Sequence, residues 1–291
     1  MINFIEKIFL PITAPIRFVQ RNFKSVLFFT ILLYIVLNID KETLSTASAN
    51  LAQVEIVGPI ILSDNIIKQL DKIKNDENIK GVLIKINSPG GAVDASVEIA
   101  YAIKELNELK PVVSYASGVI ASGSYYASLY SSKIIANPGS IVGSIGVIIS
   151  GINTEKLMEK IGIETQTIKA GKYKSVGTSA RAWDDIEKQE LSKVINDTYD
   201  MFVDDVLKAR KLQIDKNMFA DGHIFTARQA KDIGLIDEVA TISKAKEFLI
   251  KKAKVDKPVW QEEDRFEKFV KQVNTSLIKS IQLYTSSLKA Y

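Results

Sequence analysis

The sequence predicts an α/β fold in which helices cover parallel sheets. From about residue 52, short apolar runs alternate with amphipathic stretches of helical periodicity. The apolar runs are rich in Val and Ile, which is typical of strands that are buried on both faces. Alternation of strands and helices favours parallel pairing, because a parallel connection needs a crossover, which is usually a helix.

The individual elements follow from these patterns in order. Strands are expected at Val54–Ile60, Val82–Ile86, Val112–Tyr115, Lys133–Ala136, Val147–Ile149, Thr165–Lys169 and Leu235–Val239. Helices are expected at Ser63–Asn75, Val93–Leu106, Ser122–Leu129, Thr154–Ile161, Asp184–Leu212 and Thr226–Asp232. The sequence contains no internal repeat and no low-complexity segment.

The two ends of the chain differ in character from this central region. The predicted organisation is a basic segment at 1–24, an apolar anchor at 25–40, a linker at 41–51, the α/β domain at 52–253 and an amphipathic tail at 254–291. The tail is charged as well as amphipathic. A packing arm, an oligomer contact and a disordered segment are all compatible with it.

An uncharged run extends from Val26 to Ile39. It is shorter than the roughly 20 residues that span a bilayer comfortably, but Phe23, Ser25 and a snorkelling Lys24 could extend it. Because basic residues crowd its N-terminal flank, we expect that end in the cytoplasm and the remainder across the membrane. A retained anchor is the favoured interpretation. A cleaved signal peptide is the alternative, since Ala47-Ser48-Ala49 has the form of a cleavage site.

The composition excludes several chemistries. The 38 Lys and Arg exceed the 34 Asp and Glu by only four, which is too few to indicate a nucleic-acid partner. There is no cysteine, so disulfides, thiolate metal sites and a cysteine nucleophile are excluded. The single histidine, His223, cannot build a histidine-rich metal site by itself. It lies in a loop before a helix, where an exposed or locally hydrogen-bonded side chain is expected rather than a triad base.

A glycine-rich turn follows the buried strand GVLIKI. In Asn87-Ser88-Pro89-Gly90-Gly91, the two glycines allow positive φ angles and bring backbone N–H groups close to a ligand. Such an N–H can form one arm of an oxyanion hole. The alternative is that the same residues form only an ordinary tight turn that leads into the next helix.

Ser122 opens a predicted helix that is rich in small residues. A serine in this position is either an N-cap or a nucleophile. A nucleophile would gain from the partial positive charge of the helix N-terminus and from the N–H of Gly123. Both would stabilise the oxyanion of a tetrahedral intermediate.

The segment KAGKYKS, residues 169–175, can supply a base. With His223 set aside, a serine nucleophile needs another base, and Ser-Lys pairs are an established solution. The ordinary pKa of lysine is about 10.4, so a lysine base needs burial in an apolar pocket to lose its proton. A solvated loop is the alternative, and we assign Lys169 and Lys172 to it.

Five segments together resemble one known family. They are NSPGG, GVIASGSYYAS, NPGSIVGSIGVI, KAGKYKSVGTSAR and DGHIFTARQAKDIGLID, and their order is that of the short, single-unit signal peptide peptidase A proteins, the S49 serine peptidases. The resemblance covers about residues 52 to 250. It implies a fold of the Clp-protease/crotonase type, in which β/α units stack and a second sheet lies perpendicular to them.

The resemblance also implies roles for individual residues. Ser122 matches the nucleophile, and Lys174, 52 residues later, matches the general base. Gly91 and Gly123 match the N–H donors of the oxyanion hole, and Ser144 matches a serine that orients the lysine. In two places the chain departs from the family. His223 replaces a usual arginine, and Ser179-Ala180-Arg181 lacks a proline before its arginine.

The implied function is that of a membrane-anchored serine endopeptidase. It would degrade signal-peptide remnants and other extended apolar peptides, without a metal or an organic cofactor. A ring-shaped homo-oligomer is expected at the plasma (inner) membrane, with the catalytic domain outside the cytoplasm. Two alternatives stay open: a crotonase-type acyl-thioester enzyme of the same fold, and a catalytically silent membrane scaffold. A scaffold would be expected to have lost Ser122 or Lys174.

Overall fold

The computed structural model describes residue 18, residues 20–38 and residues 48–261. The chain divides into two compact units between Ser48 and Ala49. The first unit contains helix α1, Phe23–Asn38, which is uncharged from Ser25 onward. Among the described residues, no helix is both long enough and apolar enough to cross a membrane. Ile39, residues 1–17 and Ala47 of the alternative cleavage site lie outside the described residues.

Residues 48–261 form a seven-stranded mixed sheet. Its strands are β1 Leu51–Val57, β2 Gly81–Ser88, β3 Val112–Ala121, β4 Lys133–Ala136, β5 Ile141–Gly143, β6 Ile224–Thr226 and β7 Glu238–Val239. Five of them lie side by side in the order β1-β2-β3-β4-β7, and all of these pairs are parallel. The other two branch from the end of β3, where β5 pairs in parallel with β3, and β6 pairs antiparallel with β5.

Strand β3 joins the two parts of the sheet because it pairs with different strands along its length. Residues 113–116 pair with β4, whereas Val119–Ala121 pair with β5. The register between β2 and β3 shifts between Ile86 and Ser88. Such an irregularity bends a strand and increases its twist. As a result, the residues that follow β2 and β3 lie close together at the branch point.

Helices cover both faces of the parallel sheet. They are α2 Asp64–Asn75, α3 Val93–Leu109, α4 Gly123–Ser128, α5 Glu155–Ile161, α6 Asp185–Arg210, α7 Ala227–Asp232 and α8 Ile242–Lys252, with a 3-10 helix at Lys216–Met218. Alternate residues of β2 point to opposite faces, as the strand period requires. Val82 and Ile84 join the large core under α2, α3 and α4, whereas Leu83 joins a smaller core under α8. This burial on both faces explains the uninterrupted apolar runs in the sequence.

Most of the predicted elements are confirmed with shifted ends. The strand Lys133–Ala136 has the predicted bounds, and β1 begins three residues before the predicted Val54. The six predicted helices are all present within three residues of their expected ends. The proposed division of the whole chain at residues 24, 40, 51 and 253 stays a prediction.

Two predicted strands are wrong. Val147–Ile149 and Thr165–Lys169 have no strand structure, and the strand near the first of them is β5. Gly143 and Ser144 have φ angles of +109° and +51°, which end the extended backbone of β5 before Val147 is reached. An apolar or alternating run becomes a strand only where a neighbouring strand is available to pair with it.

The described C-terminal residues return to the first strand. Asn50 and Leu51 both donate their N–H groups to the Val259 carbonyl, and Gln261 donates to the Leu51 carbonyl. Leu51 and Trp260 form a parallel bridge. The start of the predicted tail therefore lies along the outer edge of β1, and the tail beyond residue 261 lies outside the described residues.

Candidate active site

Ser122 occupies a sharp turn between β3 and α4. Its backbone has φ +51° and ψ −126°, a conformation that non-glycine residues rarely adopt because it is strained. Its N–H donates to the Gly143 carbonyl at 2.8 Å, and its carbonyl accepts from the Tyr126 N–H at 3.0 Å. The side chain makes no capping hydrogen bond to the helix. The Ser122 side chain therefore does not cap the helix. The two backbone hydrogen bonds of Ser122 hold its strained conformation in place.

Gly91 and Gly123 bring two backbone N–H groups together beside Ser122. A Cβ atom added to Gly123 would lie 3.2 Å from the Gly91 nitrogen, so the two residues are in close contact. Neither N–H donates a hydrogen bond to another described residue. Gly123 is also the first residue of α4, where N–H groups carry a partial positive charge. The pair has the chemistry of an oxyanion hole.

Buried serine side chains hold this arrangement together. The Ser124 hydroxyl lies 2.7 Å from the Ser88 carbonyl oxygen and accepts the Ala121 N–H at 2.9 Å. The Ser88 hydroxyl accepts the Gly90 N–H at 3.2 Å. Both serines are completely buried. They tie the glycine-rich turn after β2 to the turn that carries Ser122. Both serines lie inside the motifs NSPGG and GVIASGSYYAS, but the residue types alone do not indicate this role.

Ser144 lies beside Ser122 across the pairing of β3 with β5. Ala121 and Gly143 are partners in register, and the residue after each is a serine with φ +51°. The Ser144 N–H donates to the His223 carbonyl at 2.7 Å. His223 thus contributes its backbone to the site, while its side chain is exposed as the sequence predicts.

A small cleft is lined by Ser122 and both glycines; we call it the Ser122 cleft. Its walls are mainly apolar and come from α3, α4, α6 and the segment after β5: Val93, Val97, Tyr126, Val147, Met201 and Phe202. Tyr126 donates a hydrogen bond to Asp205 and packs edge-on against Phe202. Burial and this hydrogen bond raise the pKa of Tyr126, so its phenol stays neutral.

Lys174 lies in a different segment, a turn that follows Gly171. Its side chain is exposed and does not line the Ser122 cleft. Within the described part of the chain, its ammonium group makes no hydrogen bond and no ion pair. The burial that a lysine base requires is therefore not supplied by the described residues of a single chain. Among these residues there is also no group of three His, Asp or Glu side chains that could hold a metal ion.

The fold, with a serine that lies beside the N–H groups of two glycines, defines a protein of the Clp-protease-like α/β class. The Clp protease profile matches residues 52–133. The chain belongs to Peptidase family S49, a family of serine proteases, whose profile matches residues 104–256.

Three relatives show how far the similarity extends. A protein of Methanocaldococcus jannaschii that is named as a protease is 45% identical over 66% of this chain. A protein named signal peptide peptidase SppA in Enterococcus faecium is 36% identical over 66% of the chain. The chloroplastic serine protease SPPA of Arabidopsis thaliana is 34% identical over 68% of it. The chain spans 62%, 56% and 30% of the lengths of these three proteins.

Proposed function

We propose that this protein is a membrane-anchored serine endopeptidase with Ser122 as nucleophile and Lys174 as general base. The observation that carries the proposal is the strained Ser122, which lies in an apolar cleft beside two N–H groups that have no acceptor among the described residues. Strain and unused donors at one point are costly for a fold, and they are typical of a site that is prepared for a reaction intermediate.

The reaction would proceed through an acyl-enzyme. The neutral Lys174 amine takes the proton from the Ser122 hydroxyl while the Ser122 oxygen bonds to a peptide carbonyl carbon. The N–H groups of Gly91 and Gly123 hold the resulting oxyanion. When the C–N bond breaks, the Lys174 ammonium returns its proton to the leaving amine. A water molecule then hydrolyses the ester, with Lys174 again accepting a proton. Ser144, next to Ser122, would orient the lysine by a hydrogen bond.

The proposed substrates are extended apolar peptides, chiefly signal-peptide remnants. The apolar walls of the Ser122 cleft support the apolar preference. The name of the enterococcal relative supports the substrate class. The uncharged run from Val26, with basic residues before it, supports attachment to the membrane in which such remnants are left.

We propose further that each active site is shared between two subunits of a ring. Lys174 must be dehydrated to act as a base, and a neighbouring subunit can supply that dehydration. The segment between β5 and α6, which carries Lys174, also leaves large apolar side chains in water. Ile148 and Ile152 are 86% and 79% exposed, and Ile168 is fully exposed. These side chains are available to a binding partner, and a second copy of the chain is the partner that would bring Ser122 to Lys174.

Mixing two inactive variants tests the dyad and the shared site together. Ser122→Ala and Lys174→Ala should each abolish hydrolysis of a chromogenic peptide, whereas His223→Ala should keep most of the activity. In a mixed head-to-tail ring, about one interface in four pairs an intact serine with an intact lysine, so about a quarter of wild-type activity should return. Zero activity after co-assembly verified by native mass spectrometry would refute the shared site. Near-wild-type turnover by Lys174→Ala would refute the dyad.

A serine-directed phosphonate separates the protease from the two alternatives. Wild-type protein should become covalently labelled at Ser122, and Lys174→Ala should be labelled much more slowly because its serine keeps its proton. A scaffold of the same fold would not be labelled. A crotonase-type enzyme would act on an acyl thioester and would not need Ser122. If Ser122→Ala loses the turnover of an acyl thioester, the crotonase alternative is therefore contradicted.

A further inference from the structure

An ion pair with a buried carboxylate lies next to the loop that carries Lys174. The Arg181 guanidinium donates to both oxygens of the Glu187 carboxylate, at 2.7 Å and 2.8 Å. The Glu187 side chain is only 4% exposed, although the surrounding segment is mostly exposed. A paired fork of this kind fixes both the distance and the plane of the two groups. It is therefore a rigid point in an otherwise exposed region.

Glu187 is also anchored to helix α6. The Asp184 N–H donates to the Glu187 carboxylate at 3.0 Å, and the Glu187 N–H donates to the Asp184 carboxylate at 2.8 Å. This is a capping box, which satisfies free N–H groups at a helix start. Arg181 first, and then the Asp184 backbone N–H, lower the pKa of Glu187 to about 2. The carboxylate thus stays charged, and it fixes Arg181 to the beginning of a 26-residue helix.

Ser175, the neighbour of Lys174 in the chain, contacts this ion pair. Its hydroxyl lies 3.4 Å from Glu187 Oε1 and accepts a hydrogen bond from Lys169 at 2.7 Å. Further along the same loop, residues 171–183, the Trp183 indole N–H donates to the Thr178 carbonyl at 2.8 Å. The backbone on the C-terminal side of Lys174 is therefore tied to α6, while the lysine side chain itself projects freely.

We propose that Ser175, Arg181 and Glu187 form a clamp that positions the Lys174 amine for proton transfer. This inference rests on the proposed function, in which Lys174 is the base. A lysine side chain is a flexible four-carbon stem, so its amine can be placed accurately only if the backbone that carries it is held still. Reacting atoms must be placed to within a fraction of an ångström, and a 1 Å error costs on the order of a hundredfold in rate. The three clamp residues are positioning residues and do not touch the substrate.

Three variants loosen the clamp to different degrees. Glu187→Gln removes the carboxylate charge, Arg181→Lys keeps the charge but loses the paired fork, and Ser175→Ala removes only the bridging hydroxyl. The matched control is Glu247→Gln, which makes the same change in an exposed 2.7 Å ion pair with Lys244 on helix α8. All four are made in the full chain. Active sites are counted by phosphonate titration, so that misfolded protein does not enter the rates.

We expect Glu187→Gln to lower kcat per titrated site by roughly ten- to a hundredfold with little change in KM. Arg181→Lys and Ser175→Ala should show smaller losses in the same parameter. A purely structural role would reduce the number of titrated sites and leave the rate per site unchanged.

The control should match the wild type in every parameter. Wild-type kcat per site in Glu187→Gln would overturn the clamp while leaving the dyad intact. If Glu187→Gln does not fold, Ser175→Ala is the deciding variant, and an unchanged kcat per site in that variant would overturn the clamp. Failure of the phosphonate to label wild-type Ser122 would instead refute the protease proposal, and the clamp with it.

Discussion

Gly90→Ala should damage the active site although residue 90 takes no part in the chemistry. Gly90 has φ +95°, and a Cβ atom there would lie 2.6 Å from the Gly123 nitrogen, 2.7 Å from the Ala121 carbonyl oxygen and 2.8 Å from Ser122 Cβ. All three are backbone atoms or an atom bonded directly to backbone, so no flexible side chain can move away to make room.

The size of the effect follows from these distances. Carbon atoms pack at about 3.5–4.0 Å, so relief of the contact with Ser122 Cβ needs a movement of about 0.7 Å or more. Left-handed backbone costs a residue with a Cβ about 1–2 kcal/mol, and overpacking adds about 1–3 kcal/mol. The free energy of unfolding should therefore fall by about 2–5 kcal/mol. Because the same movement displaces the nucleophile from its oxyanion donors, kcat/KM should fall by up to about a hundredfold.

The assay compares Gly90→Ala with Gly58→Ala. Gly58 has φ +75°, but a methyl group added to it would have no atom within 4 Å, so this variant carries the backbone cost without the collision. Urea unfolding gives the stability of each variant, and hydrolysis of a chromogenic peptide per titrated site gives the rate. Gly58→Ala should lose only about 1–2 kcal/mol and retain its turnover. Equal turnover in the two variants would refute the argument that Gly90 keeps space for Ser122.

Acid stability and topology provide two more tests. Arg181 holds the pKa of Glu187 at about 2, below its usual 4.5, so the folded state binds this proton less readily than the unfolded state. The stability from Glu187 is complete above about pH 4.5 and is lost as the pH falls towards 2. Between about pH 5 and 3, the melting temperature of the wild type should therefore fall more than that of Glu187→Gln, and parallel curves would contradict this. In intact spheroplasts, added protease should digest the chain after Asp40, whereas protection would contradict the topology.

The sequence alone was sufficient for the features that depend on neighbouring residues. Strands that are buried on both faces appear in the sequence as continuous Val and Ile runs, and these runs predict β2 and β3. The starts of α6 and α7 carry capping boxes at Asp184 and Thr226, which are local signals within four residues. The glycines and the serine of the candidate site also stood out, because they lie in turns directly after strands.

The pairing of strands that are distant in the chain could not be predicted from such local patterns. Val147–Ile149 is as apolar as a strand, but β3 pairs with Ile141–Gly143, and the positive φ of Gly143 and Ser144 ends the pairing there. Strand β5 also pairs with β6, which lies some 80 residues further along the chain. Local periodicity contains no information about either.

What the sequence determined by itself is the class of fold, the family and the set of residues suited to the chemistry, since these follow from residue types and their order. Only the tertiary structure decided how those residues meet. It set the Ser122 turn against Gly90, placed Ser144 beside Ser122 through strand pairing, and buried Glu187 next to the loop that carries Lys174. The physical reason is that strain, burial and charge pairing depend on atoms brought together from distant parts of the chain, and folding alone creates those contacts.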